Sequence, residues 1–231
     1  VSIAVAHSLF NIFCTLVLFP MGGILEKLVV ILVPDAKSKE AVVELDERLL
    51  ATPSLALESC HNLAVDMVDA ACNALRGGIK ALRDYSEELA EAVCENEERT
   101  DHYEDILSTY LVKLSSHQIS AADSAEAAKL LRLIGDFERI SDHGVNILKS
   151  AEEMRDKELS FTEAAQKELD VILDAADEIL TLSRRAYVDN DLEAALCVEP
   201  LEQVIDMLKE HLRARHIVRL QQGNCSIDVG F

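Results

Sequence analysis

Apolar and polar positions alternate along most of the chain with the period of an α-helix. From Leu130 to Leu148, the residues Leu130, Ile134, Phe137, Ser141, Gly144 and Leu148 recur at three- and four-residue steps and make one narrow, mostly apolar face. Upstream, Thr52-Pro53 places a capping residue before proline at the first helical position. Leu57, Cys60, Ala64, Met67, Ala71 and Ala74 follow as a stripe, which the Gly77-Gly78 pair weakens near its end. A second helix, over roughly residues 86–116, packs through Leu89, Val93, Asn96, Tyr103, Leu107 and Leu111. Capping boxes at Ser120/Asp123 and Ser160/Glu163 open a third and a fourth helix, the fourth with Ala165, Leu169, Ile172, Ala176, Ile179 and Ser183 inward. Asp189-Asn190-Asp191 is a turn, Pro200 kinks the fifth helix, and Gln222-Gly223-Asn224 ends it. The pattern predicts an all-α protein.

Residues 1–33 follow a different rule. Val1 to Leu25 contains no Asp, Glu, Lys or Arg, and at about 1.5 Å per residue a helix of about twenty residues covers the hydrocarbon core of a bilayer. This predicts a transmembrane helix over 1–33 and a charged connector over 34–51, with a buried helix of a soluble bundle and a signal peptide as alternatives. Neither a basic leading segment nor an A-x-A cleavage pattern is visible. His7, Asn11 and Thr15 share one side of this helix. Polar groups in a membrane helix face a bundle interior or a water-filled path, so His7 and Asn11 are transport-path candidates, with interhelical hydrogen bonding as the plainer role. The chain does not start with methionine, and a fragment of a longer protein is expected.

Net charge changes the picture of partners. At −20, the chain lacks the clustered Lys and Arg that nucleic acid requires. Its six cysteines form no C-x-x-C pair, which fits reduced, mostly buried thiols.

The acids fall in columns. Glu138 and Asp142 lie four residues apart on the border of the third helix's apolar face, a like-charge spacing that costs an isolated helix a few tenths of a kcal/mol, by order of magnitude about 0.2–0.5. Val93, Glu97, Asp101 and Asp105 make a second column, and Val198, Glu202, Asp206 and Glu210 a third, each residue of the third lying 105 positions after its counterpart in the second. A constant offset of this kind points to an internal repeat.

E-x-x-x-D at Glu97/Asp101, and E-R-I-x-D-H followed by N-I around Glu138/Asp142, resemble the two halves of a PhoU repeat. The resemblance implies a three-helix unit, duplicated, whose carboxylates bind metal clusters. Glu97, Asp101, Glu138, Asp142, Glu202 and Asp206 are thereby expected to be metal ligands. Repeat one is expected over 52–157 and repeat two over 160–231, within a helical domain spanning 52–231. The second repeat is expected to be truncated, since the counterpart of Glu138 would fall beyond Phe231. The segment AHSLFN, with L-F-P after it, resembles the last membrane helix of the sodium/phosphate cotransporter family, whose bacterial members carry a PhoU-like domain at the carboxyl end. That resemblance implies an inner-membrane location with the PhoU-like domain in the cytoplasm, sodium and phosphate as transported ions, and the rest of a transporter membrane domain as partner.

Carboxylate oxygens are hard ligands, suited to iron, manganese or magnesium, with zinc a further option. Arg132 and Arg139 are the alternative compensation for Glu138 and Asp142, and His143, about 100° around the helix, is expected to hydrogen-bond at a helix contact. No nucleophile-base-orienter set or glycine-rich phosphate loop is present, so catalysis is not expected. The leading expectation is the carboxyl-terminal part of a sodium-dependent phosphate symporter, its PhoU-like domain regulating or sensing transport. The alternative is a metal-binding scaffold of phosphate signalling, with signalling proteins as partners and homodimer formation open.

Overall fold

The computed structural model describes His7, residues 10–13, Thr15 and residues 44–223, in a chain that divides into two units, Val1–Val43 and Glu44–Phe231. In the first unit the described residues are helical. Asn11 Nδ2 lies 3.2 Å from His7 Nε2, and Thr15 Oγ1 donates to the Asn11 carbonyl at 2.9 Å, so this polar column is satisfied along its own helix. Most of the expected span over 1–33 lies outside the described residues. Among the described residues, no helix is long and apolar enough to cross a membrane.

In the second unit, a 3-10 turn at Glu47–Ala51 precedes α1 (Pro53–Arg83), α2 (Glu87–Ser115), α3 (Ala121–Asp156), α4 (Glu163–Val188) and α5 (Leu192–Gln221). Residues 44–223 contain no strand, as the helical period requires. The turn is part of the fold rather than a bare connector: Tyr110 Oη donates to the Asp46 carbonyl at 2.9 Å, and Lys113 pairs with Glu47 at 2.6 Å.

The helices α1, α2 and α3 form a bundle around Met67, Leu107, Leu111, Leu114, Leu130 and Ile134, all but fully buried. All six residues of the Leu130–Leu148 stripe are buried in α3. Ser86 Oγ accepts from the Leu89 amide and Ser120 Oγ from the Asp123 amide, capping α2 and α3. Elsewhere the local signals mislead. Thr52 stands at the N-cap of α1 without a side-chain capping bond, and α4 is capped by Thr162 rather than Ser160.

Gly77-Gly78 does not weaken α1, which runs on to Arg83. Gly77 makes room for the Val93 side chain of α2, and Gly78 lets two backbones meet. A Cβ on Gly144 would sit 2.6 Å from the backbone carbon and oxygen of Ala74, and one on Gly78 would collide with the Gly144 carbonyl. The close crossing of α1 and α3 therefore depends on both positions lacking a side chain.

The helices α4 and α5 form a hairpin whose buried residues are Leu173, Leu180 and Ala194. The expected α4 face (Ala165, Leu169, Ile172, Ala176, Ile179, Ser183) is only half-buried, because Leu173 and Leu180, one position further round, take the deepest contacts. α5 is one unbroken helix through Pro200. Asn190 adopts φ 51° in the turn before it, and Gly223 φ 70° after it, both left-handed conformations that these residue types tolerate. α1 and α4 run side by side through arginine–aspartate pairs: Arg76–Asp177 at 2.6 Å, Arg83–Asp170 at 3.0 Å with Arg83–Asp174 at 2.7 Å, and Arg184–Asp69 at 3.0 Å through Nη2.

Helix ends recur at one interval. Val188 closes α4 at 105 positions after Arg83 closes α1, and Leu192 opens α5 at 105 positions after Glu87 opens α2. The N-caps Ser86 and Asp191, each bonding an amide three residues on, keep the same interval.

Candidate functional site

The helical spacing of α2 aligns Glu97, Asp101 and Glu104 on one side, and that of α3 aligns Glu138 and Asp142. The packing of Val93, Leu107, Ile134 and Phe137 in the bundle core turns these two sides toward each other at the border of the core. Asp101, Glu104, Asp105, Gly135 and Glu138 line an open depression of about 380 Å³ between the helices. Gly135 lies on the open side of this depression, where a Cβ would meet nothing within 4 Å.

The electrostatics are those of crowded like charges. Burial pushes the Glu97 carboxyl above its ordinary range, and Asp101 and Asp142 push it further. Asp101 is raised by burial, then by Asp142 and Asp105. Glu138 is raised by burial, then by Asp142, Asp101 and Glu104. Glu104 shifts the same way, through burial and then Asp105 and Asp101. Of the arginines offered by the sequence, Arg139 pairs with Asp136 at 3.5 Å and offsets the rise at Glu138 only in part. His143 is exposed, not a helix-contact histidine.

Four of the six expected ligands, Glu97, Asp101, Glu138 and Asp142, thus act on one another across α2 and α3. Glu202 and Asp206 do not join them. They lie exposed on α5, which packs on α4, and Asp206 pairs with Lys209 at 2.7 Å. Glu104, two turns beyond Glu97, belongs to the cluster although the E-x-x-x-D pattern omits it. Its spacing of three from Asp101 was the available signal.

The donor set suits a hard cation. The geometry falls short of a closed cage: among the described residues, no three His, Cys, Asp or Glu side chains converge closely enough to hold a metal ion. The arrangement is an open, mutually repelling carboxylate surface.

Comparison with known proteins bears on this surface. Residues 64–151 match the PhoU domain. The match runs from the middle of α1 to the last turns of α3 and contains every acid of the cluster. A curated relative, the phosphate-specific transport system accessory protein PhoU homolog 1 of Thermotoga maritima, is 23% identical over 161 residues, covering 67% of this chain and 66% of its own length. The chain therefore spans just under two thirds of that relative. No solved structure matches the chain. The acid-lined face of α2 and α3 thus lies within the residues that match the PhoU domain.

Proposed function

We propose that this chain regulates phosphate transport through its PhoU-like domain, and that it does so as the carboxyl-terminal part of a sodium-dependent phosphate symporter at the inner membrane, with the domain in the cytoplasm. The observation that carries the regulatory reading is the coincidence of the PhoU match at 64–151 with the acid-lined face of α2 and α3. The charge-free run from Val1 to Leu25 supports the attachment to a membrane domain. The open carboxylate face is where iron, manganese, magnesium or zinc would bind, coupling metal to the position of α2 against α3. His7 and Asn11 are then residues of the membrane part.

The test is phosphate uptake by cells carrying the full-length protein. Uptake that stops when external sodium is replaced, and whose response to phosphate supply changes in Asp101→Ala/Asp142→Ala, is the expected result. Uptake indifferent to sodium overturns the symporter assignment, and unaltered regulation in the double variant overturns the role of the acid face.

A second reading is favoured by the Thermotoga maritima relative, whose name makes it an accessory protein. In that reading the chain is a metal-holding scaffold of phosphate signalling that transports nothing itself. Its signature is loss of signalling, with sodium-coupled uptake absent from the wild type.

A further inference from the structure

The two ends of α4 are fastened to the bundle by different chemistry. At the carboxyl end, Leu180 is 6% exposed among the core residues of α1 and α3. Tyr187 sets its ring edge-on against Phe137, centroids 5.1 Å apart, with its hydroxyl 3.4 Å from His61 Nδ1. The amino end makes no such contact. Among the described residues, the α4 side chains that join the apolar clusters of the bundle are Leu180, Tyr187 and Val188, and the cluster at the far end, around Ala81, Val93 and Leu148, receives none. What holds α4 there is Arg83, the last residue of α1, which donates to Asp170 at 3.0 Å and to Asp174 at 2.7 Å. All three side chains meet solvent: Arg83 is 39% exposed, Asp170 42% and Asp174 72%.

The attachment is therefore graded along the helix, from buried aromatic packing to ion pairs that salt can screen. The chain enters α4 at the weaker end, through residues 157–162, where Glu158 turns the backbone left-handed at φ 51° and the Leu159 amide closes α3 on the Met154 carbonyl at 2.8 Å. Within the hairpin, Glu168 of α4 is held by Arg215 and Arg219 of α5 at 2.8 and 2.6 Å, so the two helices move as one body. We infer that the α4–α5 hairpin is an arm that pivots about its Tyr187 end, with Arg83 as the clasp that holds the other end shut. Opening breaks the Arg83 bonds and leaves Arg184–Asp69, nearer the pivot, in place. The α1–α3 bundle and its acid face stay whole while the arm moves relative to them, so the device turns ionic conditions into a change of shape.

The pivot goes beyond the transport reading and does not rest on it. Paired spin labels on the full chain test it, with Cys14, Cys197 and Cys225 replaced by Ser and the exposed Cys94 of α2 kept as one label site. Glu163→Cys places the second label at the clasped end and, in a separate sample, Asp189→Cys places it at the pivot end; both native side chains are exposed. Between residues 94 and 163 a second, longer distance is expected, its share rising about twofold or more from about 0.1 M to about 1 M sodium chloride, as the screening length falls from about 10 Å to about 3 Å. In Arg83→Ala that share should already be high at the lower salt, with the helical circular dichroism of the wild type. The distance between residues 94 and 189 should keep one value throughout. The salt series needs no change in the seam, so it decides the matter even where Arg83→Ala folds poorly. A distance between 94 and 163 that is indifferent to salt overturns the inference. So does a folded Arg83→Ala that stays shut, or a hairpin that leaves whole, with both distances lengthening together.

Discussion

Arg76 Nη2 donates to Thr181 Oγ1 at 2.7 Å, and the two residues are 105 positions apart, the interval that also separates the ends of α1 and α4. Residues that occupy equivalent places in two copies of a unit and touch each other must lie close to the axis relating the copies. The ion pairs around them agree: Asp69, Arg76 and Arg83 ascend α1 in steps of seven, while Arg184, Asp177 and Asp170 descend α4 in the same steps. The joint between α1 and α4 is a seam of ion pairs about a local two-fold axis, beside Leu180 and Tyr187, which pack into the bundle core.

That seam is exposed, and exposed pairs contribute about 0.2–1 kcal/mol each. Replacing Arg76, Arg83 and Arg184 with Ala is expected to loosen the α4–α5 hairpin while leaving the α1–α3 bundle intact. Amide hydrogen exchange reads this directly: faster exchange confined to residues 163–221 is the expected outcome, and uniform acceleration through α1 to α3 contradicts it.

Two glycines of α3 should respond in opposite directions to the same change. Gly144→Ala drives a methyl into the Ala74 backbone and should destabilise by about 1–3 kcal/mol. Gly135→Ala enters open space, so the higher helix propensity of alanine should stabilise by about 0.8–1 kcal/mol. Urea titration of the two variants checks the sign of each.

Crowding among Glu97, Asp101, Glu104 and Glu138 has a defined pH signature. Their folded-state pKa values are raised, so the folded state binds protons more tightly than the unfolded one. The stabilisation from those protons is complete below the unfolded carboxyl pKa and is lost as pH rises through the folded value. Asp101→Asn and Glu138→Gln should therefore raise stability near pH 7 by about 0.2–0.5 kcal/mol each, with the gain shrinking as pH falls through the raised carboxyl pKa values and the wild-type acids take up protons. A gain independent of pH would mean that repulsion is not its source.

A cation bound at the same face would relieve the same repulsion. Adding manganese or magnesium to the chelated wild-type protein should raise Tm, with the increment lost in Asp101→Ala/Asp142→Ala. Elemental analysis of the purified protein should show the metal falling in parallel. Metal content unchanged by the double substitution removes the carboxylates from the binding site.

Cysteine reactivity should separate by burial. The Cys60 thiol is pushed up to about 12 and Cys72 to about 11 by burial, whereas Cys94 and Cys197 are exposed. Labelling with a thiol reagent before unfolding should modify Cys94 and Cys197 and spare Cys60 and Cys72. Modification of Cys60 at the rate of Cys197 would show that the core opens.

Much of this architecture is determined locally and is readable from the chain by itself. The stripe from Leu130 to Leu148 and the cap at Ser120 are properties of neighbouring residues, on which helix formation depends, and the interval of 105 shows when the chain is aligned with itself. The Glu97/Asp101 and Glu138/Asp142 columns are legible for the same reason, since four-residue spacing fixes which side chains share a side. What spacing cannot supply is how helices are paired and turned about their axes. Only the packed core brought Glu104 into the acid cluster, left Glu202 and Asp206 on a helix that meets α4 instead, and made Gly77-Gly78 a crossing point rather than a break. Those outcomes depend on contacts between residues far apart in sequence, where the shape of one surface selects the face of another.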